Sequence, residues 1–133
     1  MSDKFVVSSP NAPEAIGPYS PGIKCGNMLF LSGMLPINPK TGQIAGANAA
    51  QQTEMIMRNI IALLDASRLA LGHVVKTTVY LKSMDDFPAM NSVYEKHFTF
   101  DPPARACVEV SRLPKDALVE IEVIAIEPES GTM

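Results

Sequence analysis

Apolar residues recur along this chain with two periods, and the points where one gives way to the other mark out its elements. Residues 23–25 and 28–31 flank Gly26-Asn27, a pair suited to the positive φ of a tight primed turn, so they read as a hairpin whose second strand ends in Ser32-Gly33. The turn cluster Asn38-Pro39-Lys40-Thr41-Gly42 precedes a short strand at Gln43-Ile44. From Asn48, a suitable N-cap, the period becomes helical: Met55, Ile56, Ile60, Leu63, Leu64 and Leu71 fall near one stripe, and Gly72 stops it. Residues 74–81 are rich in β-branched side chains and alternate, with Val75, Thr77, Val79 and Leu81 on one face of a strand. A second helix of about three turns follows. Asp85 or Asp86 caps it, Pro88 sits in its first turn, Phe87, Met90, Tyr94 and Phe98 make its apolar face, and Pro102-Pro103 terminates it.

Two strands close the pattern. In residues 105–110 the alternation separates a core-like face of Ala106, Val108 and Val110 from Arg105, Cys107 and Glu109. In residues 118–126 it separates Val119, Ile121, Val123 and Ala125 from Glu120, Glu122, Ile124 and Ile126, which puts Arg105 and Glu120 on one shared, non-core sheet face. The order strand, strand, short strand, helix, strand, helix, strand, strand predicts a single α+β domain over residues 1–133, with the helices packed on one face of the sheet. Charges beside Ile124 and Ile126 make the other face neither a clean core nor a clean solvent surface, and a subunit interface accounts for that mixture. Residues 8–21 hold four prolines and no period, so this segment, with Tyr19 in it, is irregular and pinned by contacts.

Composition narrows the partners. The chain has 133 residues, enough for one core without disulfides or metal, and 11 Lys and Arg against 14 Asp and Glu, a net charge of −3. No positive field gathers phosphates, so nucleic acid and anionic membrane are poor partners. Residues 28–37, the longest nearly apolar run, are too short to span a bilayer. Two cysteines make no disulfide framework and the first residues carry charge where a secretory signal needs an apolar core, so a reduced, cytoplasmic location is expected.

The candidate chemistry centres on Arg105 and Glu120. As an exposed cross-strand pair they would contribute roughly 0–1 kcal/mol and no function. As a site, the Arg105 guanidinium fork, set by the preceding Pro102-Pro103-Ala104, matches a small carboxylate. Cys107 shares that face, but neither His73 nor His97 is placed to activate it, so its backbone matters more than its sulfur. Spacings of 48, 24 and 10 residues between Cys25, His73, His97 and Cys107 lack the close pairs of a structural zinc site, and no metal is expected. Ser32-Gly33 is no nucleophile elbow and supplies a hydroxyl or backbone donor; Asn91 and Tyr19 are either packed groups or ligand contacts.

Four segments carry a family pattern: Ile16-Gly17-Pro18-Tyr19-Ser20, Leu31-Ser32-Gly33, Met90-Asn91-Ser92-Val93-Tyr94, and Pro103-Ala104-Arg105 with Val119-Glu120-Ile121-Glu122. Over nearly its whole length the chain resembles the YjgF/RidA family of enamine/imine deaminases. The resemblance implies a chorismate-mutase-like α+β fold, a homotrimer with clefts between subunits, and hydrolysis of 2-enamine or 2-imine acids to 2-keto acids and ammonia without a cofactor. It implies that Arg105 holds the substrate carboxylate, that Glu120 positions or activates water, that Cys107 contributes its backbone, and that Tyr19, Ser32, Gly33 and Asn91 line the pocket. Pro21 and Met34 stand where the family commonly has glutamine. With Arg105 near Glu120, the arginine is expected to depress the glutamate's pKa until substrate neutralises it. Alternative roles are a non-catalytic carboxylate-binding trimer, a ribonuclease or translation inhibitor, which the acidic charge disfavours, and a holdase.

Overall fold

The computed structural model describes residues 3–129. Six strands form one sheet in the order β1-β2-β3-β6-β4-β5, where β1 is Lys4–Val7, β2 Gly22–Cys25, β3 Met28–Met34, β4 Val74–Leu81, β5 Ala104–Glu109 and β6 Val119–Ile126. Every pairing is antiparallel except β4 with β5, whose parallel alignment requires a crossover. That crossover is helix α2, Phe87–His97, while α1, Ala49–Ala66, links the outer sheet to β4. This is the α+β architecture expected, with a mixed sheet. Gly26 has φ +60° in the β2–β3 turn, as the Gly26-Asn27 pair requires.

The core lies between α1 and the sheet. Ile56, Met57, Ile60, Leu63 and Leu64 pack with Leu29, Leu31, Val79, Leu81 and the inward side chains of β6 in one cluster, and α2 adds Met90 and Tyr94. Asn48 caps α1, its Oδ1 accepting from the Gln51 N–H at 2.9 Å. The helix stops five residues before Leu71, where the apolar stripe points. Arg68 takes φ +60°, and the N–H groups of Ser67, Arg68 and Leu69 return to the Leu64 and Asp65 carbonyls, closing the helix end; Leu71 falls in a separate 3-10 turn.

Three further expectations change. The Gln43-Ile44 strand is only an isolated bridge between Ile44 and Ile37, and β1 is an edge strand that alternation did not mark, since Phe5 and Val6 are both exposed. In β4 the pairing with β6 slips between Val74 and Lys76, so Val74 is buried and Val75 is not. In β5 the faces are reversed. Arg105, Cys107 and Glu109 lie in register with Thr77, Val79 and Leu81 of β4, all buried under the helices, whereas Ala106 and Val108 are exposed on the other side. Neighbours in a sheet share a face, so the buried row of β4 decides the matter.

Two amides bind the loops to α1. Gln52 accepts from the Leu118 N–H at 2.8 Å and donates to the Gly46 carbonyl at 3.2 Å, while Asn59 donates to the carbonyls of Ile37 at 2.9 Å and Leu35 at 3.3 Å. Both side chains are almost wholly buried, so these bonds have no ready replacement in water. Asn59→Ala is expected to destabilise by about 1–3 kcal/mol, because two carbonyls lose their donor in the interior. Urea unfolding should show a lower midpoint with an unchanged slope.

Candidate active site

The seven sequence-selected residues fall into two clusters on opposite faces of the sheet. Arg105 belongs to the helix side. Its Nη1 donates to Asn91 Oδ1 of α2 at 2.7 Å, and its guanidinium carbon lies 4.8 Å from the ring centroid of Tyr94 and 5.4 Å from that of Phe87. Asn91 stands four residues after Phe87 and three before Tyr94, so one stripe of α2 supplies both the rings and the amide. The ring faces attract the cation while the amide orients one edge of the fork, leaving its other N–H groups for a ligand. A hollow of about 380 Å³ opens there, lined by Asn91, Tyr94, Pro102, Pro103 and Arg105 among others. Pro102 and Pro103 form its wall as well as ending the preceding segment.

Tyr94 was read from sequence as packing alone. Its hydroxyl shares a 2.7 Å hydrogen bond with Thr77 Oγ1 in the core, and burial pushes its pKa up, so it is a neutral anchor for the guanidinium above it. Cys107 follows on the same side, partly buried against the core. Burial raises its thiol pKa and Arg105 only partly opposes this, which removes the thiolate a nucleophile needs.

Glu120 belongs to the open face. It lies opposite Tyr80 in register, beside Glu122 two residues along, and Tyr80 donates its hydroxyl to Glu122 Oε1. That bond and burial raise the Tyr80 pKa. Burial raises the Glu120 pKa, and the neighbouring Glu122 charge adds to it. The expected depression by Arg105 does not occur within the chain, because the two residues are on different faces of the sheet. Glu122 lies beside Glu120 as the alternation of this strand predicts, whereas Tyr80 is absent from the sequence reading; its signal is the opposite parity to Val79 and Leu81.

A bulge in β3 brings the remaining residues to Glu120. Leu31 pairs with Val123 and Met34 with Ile121, so β3 has one residue more than β6 over this interval, and Ser32-Gly33 occupies it. The strand thus continues past the point where it was expected to end. A Cβ on Gly33 would collide with the Glu120 carboxyl group, its carboxyl carbon standing 2.8 Å from the ideal position. Ser32 donates through Oγ to the Ser20 carbonyl at 2.6 Å and through its N–H to the Pro21 carbonyl at 2.9 Å. Both donors therefore fasten the proline-rich segment instead of reaching a ligand. That segment delivers Tyr19, half exposed, to a small hollow shared with Gly33, Met34 and Glu14.

Among the described residues no group of three or more His, Cys, Asp or Glu side chains is placed to hold a metal ion, and no helix is long and apolar enough to cross a membrane. What the geometry offers is a cation backed by aromatic rings on one face and, on the other, a partly buried carboxylate whose pKa is raised. The model of the endoribonuclease L-PSP family, the YjgF/RidA family, matches residues 9–127. The chain belongs to the YjgF/RidA family. A RutC family protein of Pyrococcus horikoshii is 53% identical over 122 residues, spanning 92% of this chain and 97% of its own. The 2-iminobutanoate/2-iminopropanoate deaminase of Escherichia coli K12 is 47% identical over 123 residues, 90% of this chain and 95% of that protein. Escherichia coli TdcF, solved with bound serine, matches with a TM-score of 0.89 at 38% identity, over 93% of this chain and 99% of that one. Family membership confirms the resemblance read from the four segments.

The contact between Gly33 and Glu120 has a measurable signature. Gly33→Ala is expected to push the Glu120 carboxylate aside and to destabilise by about 1 kcal/mol at most, since the group it meets is the end of a flexible side chain. In Gly33→Ala/Glu120→Ala, where the colliding carboxylate is gone, most of that loss should disappear. A double-mutant cycle in urea measures the difference.

Proposed function

We propose that this protein is a hydrolytic deaminase of 2-enamine and 2-imine acids, working as a homotrimer with its sites between subunits. The observation that carries the assembly is the separation of Arg105 from Glu120 by the sheet. One chain holds half a site on each face, and a second copy docked against the open face supplies the missing half. That face exposes Val6, Phe30 and Val108 beside partly buried Ile124, an apolar surface a stable subunit contact would cover. The named deaminase at 47% identity supports the reaction, and serine bound to TdcF supports a small ligand with a carboxylate. The net charge of −3 and the carboxylates of the open face argue against RNA as substrate.

In this mechanism Arg105 holds the substrate carboxylate through its free N–H groups, and the carboxylate in turn neutralises it. An enamine first gains a proton from solvent at its terminal carbon and becomes the 2-iminium acid, the state a 2-imine reaches by protonation at nitrogen. Water then adds to the electrophilic C2 as Glu120 takes one of its protons. The resulting carbinolamine collapses when Glu120 returns that proton to nitrogen and takes up the hydroxyl proton, so that ammonia leaves and the 2-keto acid remains; loss of that proton to solvent restores the carboxylate. A carboxylate whose pKa is raised by burial is a stronger base than an exposed one. No cofactor takes part. A small carboxylate-bearing metabolite and the second copy are the only partners, and the cytoplasm is where such products of dehydratases would be met.

The assay generates 2-aminoacrylate or 2-iminobutanoate with a dehydratase and follows keto-acid release. Glu120→Gln should lower the rate by about 10²–10⁴-fold, the range for a general acid-base group. Arg105→Ala should lower kcat/KM by about 10–100-fold, the loss of one or two charge-assisted hydrogen bonds. If wild type gives no acceleration over the blank, a non-catalytic carboxylate-binding trimer takes this reading's place. The pH dependence has a definite sign. Glu120 must be deprotonated to act, so kcat/KM should rise with pH through an acid limb above the ordinary carboxylate value of 4.5, and Glu120→Gln should remove the limb. Mixing Arg105→Ala with Glu120→Gln subunits tests the shared site directly. Random trimers should regain about a quarter of wild-type activity, since that share of clefts pairs an intact arginine with an intact glutamate. No recovery would place both groups in one chain's site and overturn the assembly.

A further inference from the structure

A second polar hollow lies at the far end of the molecule, under the C-terminal end of α1. It has a volume of about 460 Å³ and is lined by Lys24, Ser67, Arg68, His73 and Glu127 among others. We propose that it binds a small dianionic oxyanion, phosphate or the phosphate group of a monoester, between Arg68, His73 and Ser67.

The basic groups of the lining are only partly committed. Lys24 is paired with Glu127, which spends the one carboxylate in the lining and keeps its repulsion of an anion small. Arg68 makes no side-chain hydrogen bond or ion pair among the described residues, so its charge is left over. His73 accepts the Ala70 N–H through Nδ1 at 2.9 Å, which puts the ring proton on Nε2, the nitrogen left to donate outward. Ser67 carries the one buried side-chain polar atom that lacks a partner among the described residues. A buried hydroxyl without a partner calls for an explanation, and a bound ion is one. As placed the Ser67 hydroxyl has almost no accessible surface, so it meets an ion in the hollow only after turning about its side-chain single bond.

The backbone adds to this. Arg68 occupies the left-handed position after α1 at φ +60°, where glycine is the unstrained choice, so its side chain has a use that offsets the conformation. Basic residues near a helix C-terminus also compensate its dipole. That accounts for the charge but not for the hollow or for the unpartnered hydroxyl. Lys24 lies in register with Leu29, which pairs with Ala125, and both are core residues. The hollow therefore opens on the helix side and stays open when the other face is covered by a second copy. It is independent of the deaminase reading.

Calorimetric titration of the full-length protein at constant ionic strength tests the site, with inorganic phosphate and phenyl phosphate as probes and chloride as control. Wild type should take up one phosphate per chain. Arg68→Gly should bind at least about tenfold more weakly yet melt higher, because glycine relieves the backbone while deaminase turnover stays unchanged. Ser67→Ala should also bind more weakly. Uptake of both probes assigns the site to phosphate esters as well as free phosphate; exclusion of the ester assigns it to the free ion. A response matched by chloride, or undiminished affinity in both Arg68→Gly and Ser67→Ala, would overturn the proposal and leave the basic residues serving the helix end alone.

Discussion

The alternation along β6 is the constraint on which the rest of the molecule depends. Val119, Ile121, Val123 and Ala125 are buried between two neighbouring strands and under the helices, so β6 has no freedom to slip. A shift of one residue would exchange its buried branched chains for Glu120 and Glu122 and put two carboxylates into the core. At several kcal/mol for each unpaired charge, such a register is inaccessible. Glu120 therefore owes its position to side chains that never approach a substrate. Partial burial, and the like charge of Glu122 that the same constraint holds two residues away on one face, together raise the Glu120 pKa.

Arg105 is placed by a different logic. β5 is an edge strand, paired on one side only, and its inward row runs past the limit of the core. There the layer between sheet and helix ends in Phe87 and Tyr94, with a cation laid over their rings. A guanidinium keeps its outer edge in water at such a boundary while its face covers apolar surface. The two halves of the proposed site are thus set by two unlike pieces of physics, one in the middle of the sheet and one at its rim. Neither half requires the other in order to fold.

Much of this was legible in the sequence. The β2–β3 hairpin, the cap at Asn48, the apolar stripes of both helices and the inward row of β6 follow from periods and turn chemistry, because in each of them local preference and tertiary burial agree. The family pattern singled out Arg105 and Glu120. What failed was parity at places where the chain departs from regular pairing or leaves the core. In β5, Ala106 and Val108 look like core and face outward, because this face lacks a covering layer in the single chain; the polar row faces inward because α2 has little left to bury there. Val75 was misplaced by a slip in register, and the end of α1 by a left-handed arginine that no propensity favours. The two amides of α1 and the bulge in β3 are long-range pairings, invisible until both partners are in place.

The bulge separates what the candidate site requires from what the fold requires. Leu31 and Met34 are both buried although three residues apart, a spacing that plain β pairing forbids. With one residue fewer between them, the hydrophobic alternation of β3 would run unbroken and the ladder to β6 would close. The scaffold thus carries one residue more than its own architecture asks for, inserted where the backbone must draw back to leave room for a carboxylate. That residue adds nothing to the ladder or the core, so what it serves is the carboxylate it makes room for.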